Sequence, residues 1–252
     1  MTAGLRFATT SITHPGLIRS ANEDSFYAKE AAGVWVVADG MGGHANGQWA
    51  STAVVGAVGE AQMTEDFDHD VMALTGAIQQ ANAVIYATSR RQGAAMGSTA
   101  AALYLNGARF ACIWAGDSRI YLLRDGVLHR MTRDHTQVEE MVERGLLTPE
   151  EAARHPMSHV LSRAVGVQES LDLDAVSDYA APRDVFLLCS DGLSGVVSEA
   201  EIRDRLTSFP ASAACNRLLE LVLARGAPDN VTMIAVACEE KTMLTLAPVT
   251  AF

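Results

Sequence analysis

The sequence of 252 residues is long enough to bury a sizeable core, and its hydrophobic fraction of 49% is typical of a packed globular protein rather than a disordered chain. A net charge of -11 argues against nucleic acid or an anionic membrane surface as the main partner, because both require a positively charged face. No apolar run reaches the length of a membrane span, and residues 1–11 lack the apolar core of a signal peptide, so we expect a cytoplasmic protein without membrane insertion.

Hydrophobic periodicity predicts strands and helices in separate groups along the chain. In chain order we predict a strand over residues 5–13, a strand over 34–38, helices over 48–58 and 71–91, and strands over 98–105, 108–115 and 119–124. These are followed by helices over 136–144 and 148–154, strands over 171–176 and 185–189, helices over 199–206 and 211–224, and a strand over 231–238. Asn106-Gly107 between two apolar runs is a strong hairpin signal. This order favours antiparallel sheets covered by helices, in a single domain over residues 1–252.

Acidic residues recur at the predicted strand ends, next to glycine, serine or asparagine. They are Asp39, Asp117, Asp191 and Asp229, with Glu23 and Asp24 following the first strand. One such aspartate is most often a turn residue, but several in one cleft would repel one another, and hard divalent cations relieve that repulsion. Ligation by oxygen alone indicates Mg²⁺ or Mn²⁺, and two such ions would suit phosphoryl transfer to water. The spacing along the chain leaves open whether these acids converge.

Residues 40–45, GMGGHA, also satisfy the loose G-x-G-x-x-G/A pattern of dinucleotide-binding loops. Asp39 argues against this interpretation, because a fixed negative charge would repel the pyrophosphate. Glu60, the nominal ribose-binding acid, ends a helical pattern rather than a second strand. A dinucleotide-binding enzyme is therefore the weakest of the alternatives.

The four cysteines are far apart and lie mostly in apolar strand or helix patterns. They are Cys112, Cys189, Cys215 and Cys238, without a CxxC pair or a Cys/His ligand spacing. This predicts buried, reduced thiols rather than a zinc site. The sequence also lacks a CxxxxxR phosphatase loop, which argues against a cysteine nucleophile.

Seven separated motifs between residues 7 and 236 point to one family. They are RSANEDS, VVADGMGGH, GSTAAALYL, AGDSRIYLL, SHVLSRAVG, LLCSDGLSG and APDNVTMIAV. In this order they resemble the bacterial branch of the PPM/PP2C family of metal-dependent serine/threonine protein phosphatases. The resemblance implies an α+β fold, a four-layer α-β-β-α sandwich of two antiparallel β-sheets flanked by helices, with a small flap near residues 134–163. It also implies hydrolysis of phosphoserine and phosphothreonine on proteins by direct attack of metal-bound hydroxide, without a covalent phosphoenzyme.

The resemblance assigns a central pair of Mn²⁺ or Mg²⁺ ions to the acids. Asp39 resembles the carboxylate that bridges both ions, with the Gly40 carbonyl as a further ligand of one of them. Asp191 and Asp229 resemble ligands of the other ion, and Glu23 corresponds to a second-metal contact.

Three more residues gain a role from the resemblance. Asp24 corresponds to an outer-shell acid that orients metal-bound water, and Asp117, together with Asp191, to the carboxylate that holds a third, more labile ion in bacterial relatives. Arg19 matches the arginine that binds the substrate phosphate. A guanidinium fork suits two phosphate oxygens, so lysine should be a poor replacement.

The sequence departs from the family pattern at two positions. Met41 stands where eukaryotic members have a histidine assigned as general acid, and the nearest histidine is His44, which is either a proton donor or a solvated turn residue. Gly195 stands where many relatives carry an acid, which weakens the expectation of a third ion without affecting the central pair.

The partners implied are phosphorylated proteins, including the targets of a Ser/Thr kinase that the protein would oppose and, in some bacterial relatives, a forkhead-associated protein. The flap could be a substrate-reading surface or a plain amphipathic helix pair, since its basic residues are offset by glutamates. A second hypothesis is a catalytically silent module that binds phosphoproteins or a kinase. Retention of the acids and Arg19 counts against it. We expect a monomer.

Overall fold

A computed structural model, which describes residues 5–43, 45–152 and 154–241, contains two antiparallel β-sheets. The strands are β1 (Leu5–His14), β2 (Asp24–Lys29), β3 (Val34–Met41), β4 (Gly97–Ser98), β5 (Ala100–Asn106), β6 (Arg109–Ala115), β7 (Arg119–Arg124), β8 (Val127–Arg130), β9 (Asp174–Tyr179), β10 (Val185–Cys189) and β11 (Val231–Glu240). The β1 sheet has the order β1-β11-β10-β7-β8, and the β3 sheet has the order β2-β3-β5-β6-β9, with β4 paired to β3.

Helices flank the two sheets and form part of the flap. They are α1 (Ala45–Glu60), α2 (Phe67–Gln92), α3 (Gln137–Glu143), α4 (Pro149–Ala152), α5 (Asp191–Ser194), α6 (Glu199–Ser208) and α7 (Ala211–Ala224), with a short 3₁₀ helix over Glu30–Ala32. Helices α1 and α2 share a buried core with the β3 sheet, and α5 to α7 share another with the β1 sheet. Within the described ranges, no helix is long and apolar enough to cross a bilayer.

A third core lies between the two sheets and follows from the alternation of side chains along each strand. In β3, Trp35 and Val37 belong to this inter-sheet core, whereas Val36 packs with the helices on the outer face. Across the inter-sheet core, the rings of Phe110 and Phe186 meet edge to face with centroids 4.9 Å apart. The predicted four-layer α-β-β-α sandwich is confirmed.

The sequence predicted most elements but missed β2, β8, α5 and the 3₁₀ helix, and it placed β9 three residues too early, over 171–176. Residues 119–124, 185–189 and 211–224 have the predicted bounds, and α1, α2 and β11 are longer than predicted. Strand β2, an edge strand with a mostly half-buried pattern, was missed because it lacks the apolar alternation that marks a strand. The single turn α5, directly after β10, was also missed.

The flap, residues 134–163, contains α3 and α4, both shorter than predicted. Thr136 accepts a hydrogen bond from the Glu139 backbone N–H at the start of α3. At the start of α4, Thr148 and Glu151 bond to each other's backbone N–H groups, as the sequence pattern predicts. The flap is tied to the β1 sheet by Arg119, which donates to both carboxylate oxygens of Asp134.

A buried carboxylate at the start of α2 offers a test of the fold. Asp70 accepts hydrogen bonds from the Thr64 N–H at 2.7 Å, the Glu65 N–H at 3.1 Å and the Tyr104 hydroxyl at 2.6 Å. Replacement Asp70→Ala would leave the buried Tyr104 hydroxyl and two backbone N–H groups without this acceptor, so we expect the free energy of unfolding to fall by about 3 kcal/mol. Urea denaturation followed by circular dichroism measures this loss.

Asp68→Ala is the matched control, because Asp68 lies in the same helical turn but is exposed and pairs with Arg109 at the surface. An exposed ion pair contributes little, so this variant should unfold close to the wild type. Equal losses in the two variants would contradict the role assigned to Asp70.

Candidate metal centre

The predicted acids converge at one end of the two sheets. A cleft of about 690 Å³ lies there, and its wall includes Arg19, Glu23, Asp39, Gly40, Asp117, Asp191 and Asp229. Asp39 belongs to the β3 sheet, Asp191 and Asp229 flank β10 and β11 of the β1 sheet, and Asp117 lies in the connection that passes from β6 to β7. Seven of the nine site residues predicted from the sequence therefore share one cleft.

Asp39 is held by the strands on both sides of it. It pairs with Asp24 across β2 and β3, its backbone N–H donates to the Thr99 hydroxyl at 2.9 Å, and its carbonyl accepts from the Thr99 N–H at 2.8 Å. The Thr99 hydroxyl is bonded in turn to that of Ser118, beside Asp117. Short polar side chains thus connect the acids of two different turns.

Glycines let the chain come close behind Asp39. A Cβ at Gly40 would lie 2.0 Å from the Gly47 carbonyl oxygen, and one at Gly47 would lie 1.8 Å from Glu23 Oε2. The Glu23 carboxylate therefore occupies the space that a side chain at Gly47 would fill. Gly40, from the loop that resembled a nucleotide-binding site, instead lets α1 approach β3, and Gly47 of α1 leaves room for the Glu23 carboxylate.

Asn230 fixes the loop that carries Arg19 and Glu23. Its side chain accepts from the Glu23 N–H at 2.8 Å and donates to the carbonyl oxygens of Pro15 at 2.8 Å and Ala21 at 2.9 Å. Asn230 is buried, and its neighbour Asp229 receives a hydrogen bond from Arg19 Nη2 at 2.7 Å. The acid before β11 and the arginine loop are therefore placed by one asparagine.

Asp24 lies behind the cleft wall and is buried. Ser190, the residue before Asp191, donates to Asp24 Oδ2 at 2.8 Å. The other oxygen, Oδ1, has no hydrogen-bond partner within the described ranges. A buried carboxyl oxygen without a hydrogen-bond partner indicates that a group outside the protein chain, such as water or a cation, binds it.

Burial and mutual repulsion raise the pKa of several of these acids. Burial raises the pKa of Asp39 well above its usual range, and the charges of Asp24, Asp191 and Asp117 raise it further. Burial likewise raises the pKa of Asp24 to about 7, despite the hydrogen bonds from Thr232 and Ser190. Burial, with the charge of Asp191, raises the pKa of Asp117 to about 8. The cleft therefore favours either protons or bound cations among its carboxyls.

The side chains present fit a divalent oxygen-ligated cation. Burial, with the charge of the neighbouring Asp229, raises the pKa of Asp191, so a bound cation could take the place of a proton on this carboxyl. Among residues 5–43, 45–152 and 154–241, no three His, Cys, Asp or Glu side chains already enclose one ion position. Mg²⁺ is compatible with such a sparse arrangement, because it keeps several waters and takes only one or two carboxylates.

The other residues singled out from the sequence differ in where the structure places them. The Arg19 side chain lies at the cleft, 55% exposed, but is paired with Asp229 rather than aimed alone at a phosphate. His44 lies outside the described residues. Met41 ends β3 and lines the cleft, and Gly195 is the residue that follows α5.

Sequence reasoning missed the polar residues that support the acids, namely Thr99, Ser118, Ser190, Asn230 and Thr232. Only Asn230, directly after Asp229, had a visible signal, since asparagine before a strand often bonds backbone groups. His159 of the flap also enters the cleft, with Nδ1 3.9 Å from Asp191 Oδ2.

The raised pKa values predict an unusual dependence of stability on pH. Asp24 and Asp117 have pKa values of about 7 and about 8 in the folded protein, above the value of about 3.9 in the unfolded chain. Between these values the folded state holds more protons, so the metal-free protein should lose stability as the pH rises from about 4 to about 8. Thermal unfolding at several pH values in EDTA tests this.

Added Mn²⁺ should reverse the trend, because cation binding displaces those protons and becomes tighter as the pH rises. Calorimetric titration in two buffers of different ionisation enthalpy would show the proton release. A melting temperature that rises with pH in EDTA would contradict the assignment.

Comparison with known proteins agrees with the family resemblance of the sequence motifs. The family model described as Protein phosphatase 2C matches residues 10–144. The chain is 39% identical over 236 residues to the serine/threonine protein phosphatase PstP of Mycobacterium tuberculosis, and this match covers 93% of the chain but 45% of PstP. It is 34% identical over 240 residues to the serine/threonine phosphatase stp of Listeria innocua, covering 89% of the chain and 93% of that relative. The chain thus spans about half the length of PstP and nearly all of stp.

Two solved structures illustrate the likeness of fold. PppA, described as a key regulatory component of T6SS in Pseudomonas aeruginosa, superposes with a TM-score of 0.87 at 38% identity, covering 93% of this chain and 99% of that one. The catalytic domain of PstP in complex with two manganese ions superposes with a TM-score of 0.84 at 35% identity, covering 94% of this chain and 100% of that one. With two antiparallel sheets, an acidic cleft between them and these relatives, the chain belongs to the protein phosphatase 2C family.

Proposed function

We propose that the chain is a metal-dependent protein phosphatase that hydrolyses phosphoserine and phosphothreonine on proteins. The observation that carries this proposal is the convergence of the acids and Arg19 in one cleft. The names of the relatives support it, since PstP and stp are both called serine/threonine phosphatases. The alternative, a silent phosphoprotein-binding module, does not explain a cluster of carboxyls whose raised pKa values make it costly to keep charged.

The cations would be Mn²⁺ or Mg²⁺, held by Asp39, Asp191, Asp229 and Glu23 with the Gly40 carbonyl. Such ions acidify a bound water and neutralise charge that develops on the phosphoryl group. A third ion would lie between Asp117 and Asp191, and the structure supports their proximity through the repulsion that raises the pKa of Asp117. The manganese complex of PstP supports the choice of metal.

Asp24 and Arg19 would act on water and on phosphate. Asp24, held through Oδ2 by Ser190, keeps Oδ1 available to accept a proton or hydrogen bond from water. Arg19 presents a planar fork of N–H donors at the cleft, where it would exchange its contact with Asp229 for phosphate oxygens. Direct attack by water is therefore the mechanism that these side chains fit best.

A cysteine nucleophile is not supported by the structure. All four cysteines are buried and free, as predicted. Burial raises the pKa of Cys112 far above its usual range and that of Cys189 to about 12, so neither forms a thiolate near neutral pH. No covalent phosphoenzyme on cysteine is then expected.

We also propose the substrates of the reaction and its cellular context. Its substrates would be proteins phosphorylated by a bacterial Ser/Thr kinase, with a forkhead-associated protein as a candidate target. The likeness to PppA makes regulation of a secretion system one context to examine. A monomeric, cytoplasmic, single-domain protein over residues 1–252 remains our prediction.

Asp191→Asn tests the metal-dependent activity. It removes the charge of a carboxylate that lines the cleft and would hold a metal ion, so we expect Mn²⁺-dependent hydrolysis of p-nitrophenyl phosphate and of a phosphothreonine peptide to fall by at least about 10²-fold. Asp204→Asn, at an exposed position on α6, should leave turnover unchanged. A wild type that binds the phosphopeptide in Mn²⁺ without hydrolysing it would instead favour the silent module.

Arg19→Lys tests the phosphate contact. Lysine keeps the charge but loses the planar fork, so kcat/KM for the phosphothreonine peptide should fall about tenfold or more while Mn²⁺ affinity stays near the wild-type value. Arg203→Lys, an exposed arginine on α6, is the control. Unchanged kinetics in Arg19→Lys would exclude a bidentate phosphate contact.

A further inference from the structure

Apolar side chains line part of the cleft that also holds the acids. We define the apolar floor as Met41, Met96, Val160 and Val167, all of which line the same cleft as Arg19 and the acids. Ala95 and the backbone of Gly42 and Gly166 complete this side of the wall. The proposed hydrolysis does not use any of these side chains.

Met41 connects the floor to the acids. Met41 and Asp39 both lie in β3, two residues apart, and side chains at that spacing project from the same face about 7 Å apart. The Met41 Cε and Val167 Cγ2 atoms would lie 2.7 Å and 2.9 Å from a Cβ built on Gly97. The two side chains therefore pack over the same glycine and form one continuous surface.

Two residues of the floor are exposed and Met96 is buried, and the segment that carries the exposed residues is firmly held. Val160 and Val167 are 40% and 48% exposed, whereas Ala164 and Val165 between them are buried. Val165 exchanges two backbone hydrogen bonds with Ser98, at 2.8 Å and 2.9 Å. Arg163, the charged residue of this segment, donates to Asp174 at 2.8 Å, so its charge is already paired.

We propose that the apolar floor is a specificity subsite that binds an apolar side chain of the substrate protein, within two positions of the phosphorylated residue. This inference rests on the proposed function, because it places the phosphate at Arg19 and the acids. In an extended peptide, side chains two residues apart also lie about 7 Å apart on one face, which matches the separation of Asp39 and Met41. Burial of that side chain against Met41 and Val167 would favour leucine or valine over serine.

The test compares two phosphothreonine peptides of otherwise identical sequence. One has leucine at the two positions before and the two positions after the phosphothreonine, and the other has serine at these four positions. With Mn²⁺ present, wild-type kcat/KM should be at least about fivefold higher for the leucine peptide. In Val167→Ser, the ratio of kcat/KM for the leucine peptide to that for the serine peptide should fall towards one. Val167→Ile should keep the wild-type ratio. Thermal unfolding of each variant confirms that the fold is retained.

Val84→Ser is the matched control, because Val84 is also 48% exposed but lies on α2 outside the cleft wall. It should keep both the activity and the peptide ratio of the wild type. If Val84→Ser also lost the preference for the leucine peptide, the proposal that the apolar floor binds this side chain would be overturned.

Two further measurements separate failure of the subsite from failure of the proposed function. Turnover of p-nitrophenyl phosphate by the wild type reports on the phosphatase activity alone. Equal kcat/KM for the two peptides in an active enzyme would overturn the subsite. If the wild type hydrolyses nothing, fluorescence anisotropy of labelled peptides with the Mn²⁺-loaded protein decides, and equal affinity for the two peptides would again overturn it.

Discussion

The packing of two β-sheets face to face is the constraint on which the candidate site depends. The sheets meet through a buried core that includes Trp35, Phe110 and Phe186, so the ends of their strands are brought to one place. The carboxyl groups at those strand ends therefore lie close together, although they repel one another. Burial first, and then the charges of neighbouring acids, raise the pKa of Asp39, and the inter-sheet core offsets this cost of keeping Asp39 charged.

A set of small polar side chains keeps the repelling acids from moving apart. Thr99 holds the backbone at Asp39, Ser190 holds the Asp24 carboxyl, and Asn230 holds the loop that carries Glu23. Because these groups bond to backbone or to one carboxylate oxygen, they fix positions while leaving other oxygens available. The backbone that carries the acids is therefore held in place by groups other than the acids themselves.

The sequence allowed the fold to be predicted where the local signal is strong. Residues 185–189 form a continuous apolar run, and residues 211–224 have helical periodicity, so both elements have the bounds predicted for them. Strand β2 lacks such a pattern and is fixed only by pairing with β3. The acids could be named from motifs, but their convergence depends on strand register, and the pairing of Arg19 with Asp229 joins segments 210 residues apart.

Met41 shows how one substitution changes the character of the cleft. A histidine there would put a polar, titratable group on the same face of β3 as Asp39, whereas methionine extends the apolar surface from Val167 to the edge of the acids. The cleft therefore has an apolar surface next to its charged residues. Such a division favours a ligand of the same two-part character, with a phosphate at one end and an apolar side chain at the other. On the charged side of the cleft, His159 Nδ1 lies 3.9 Å from Asp191 Oδ2.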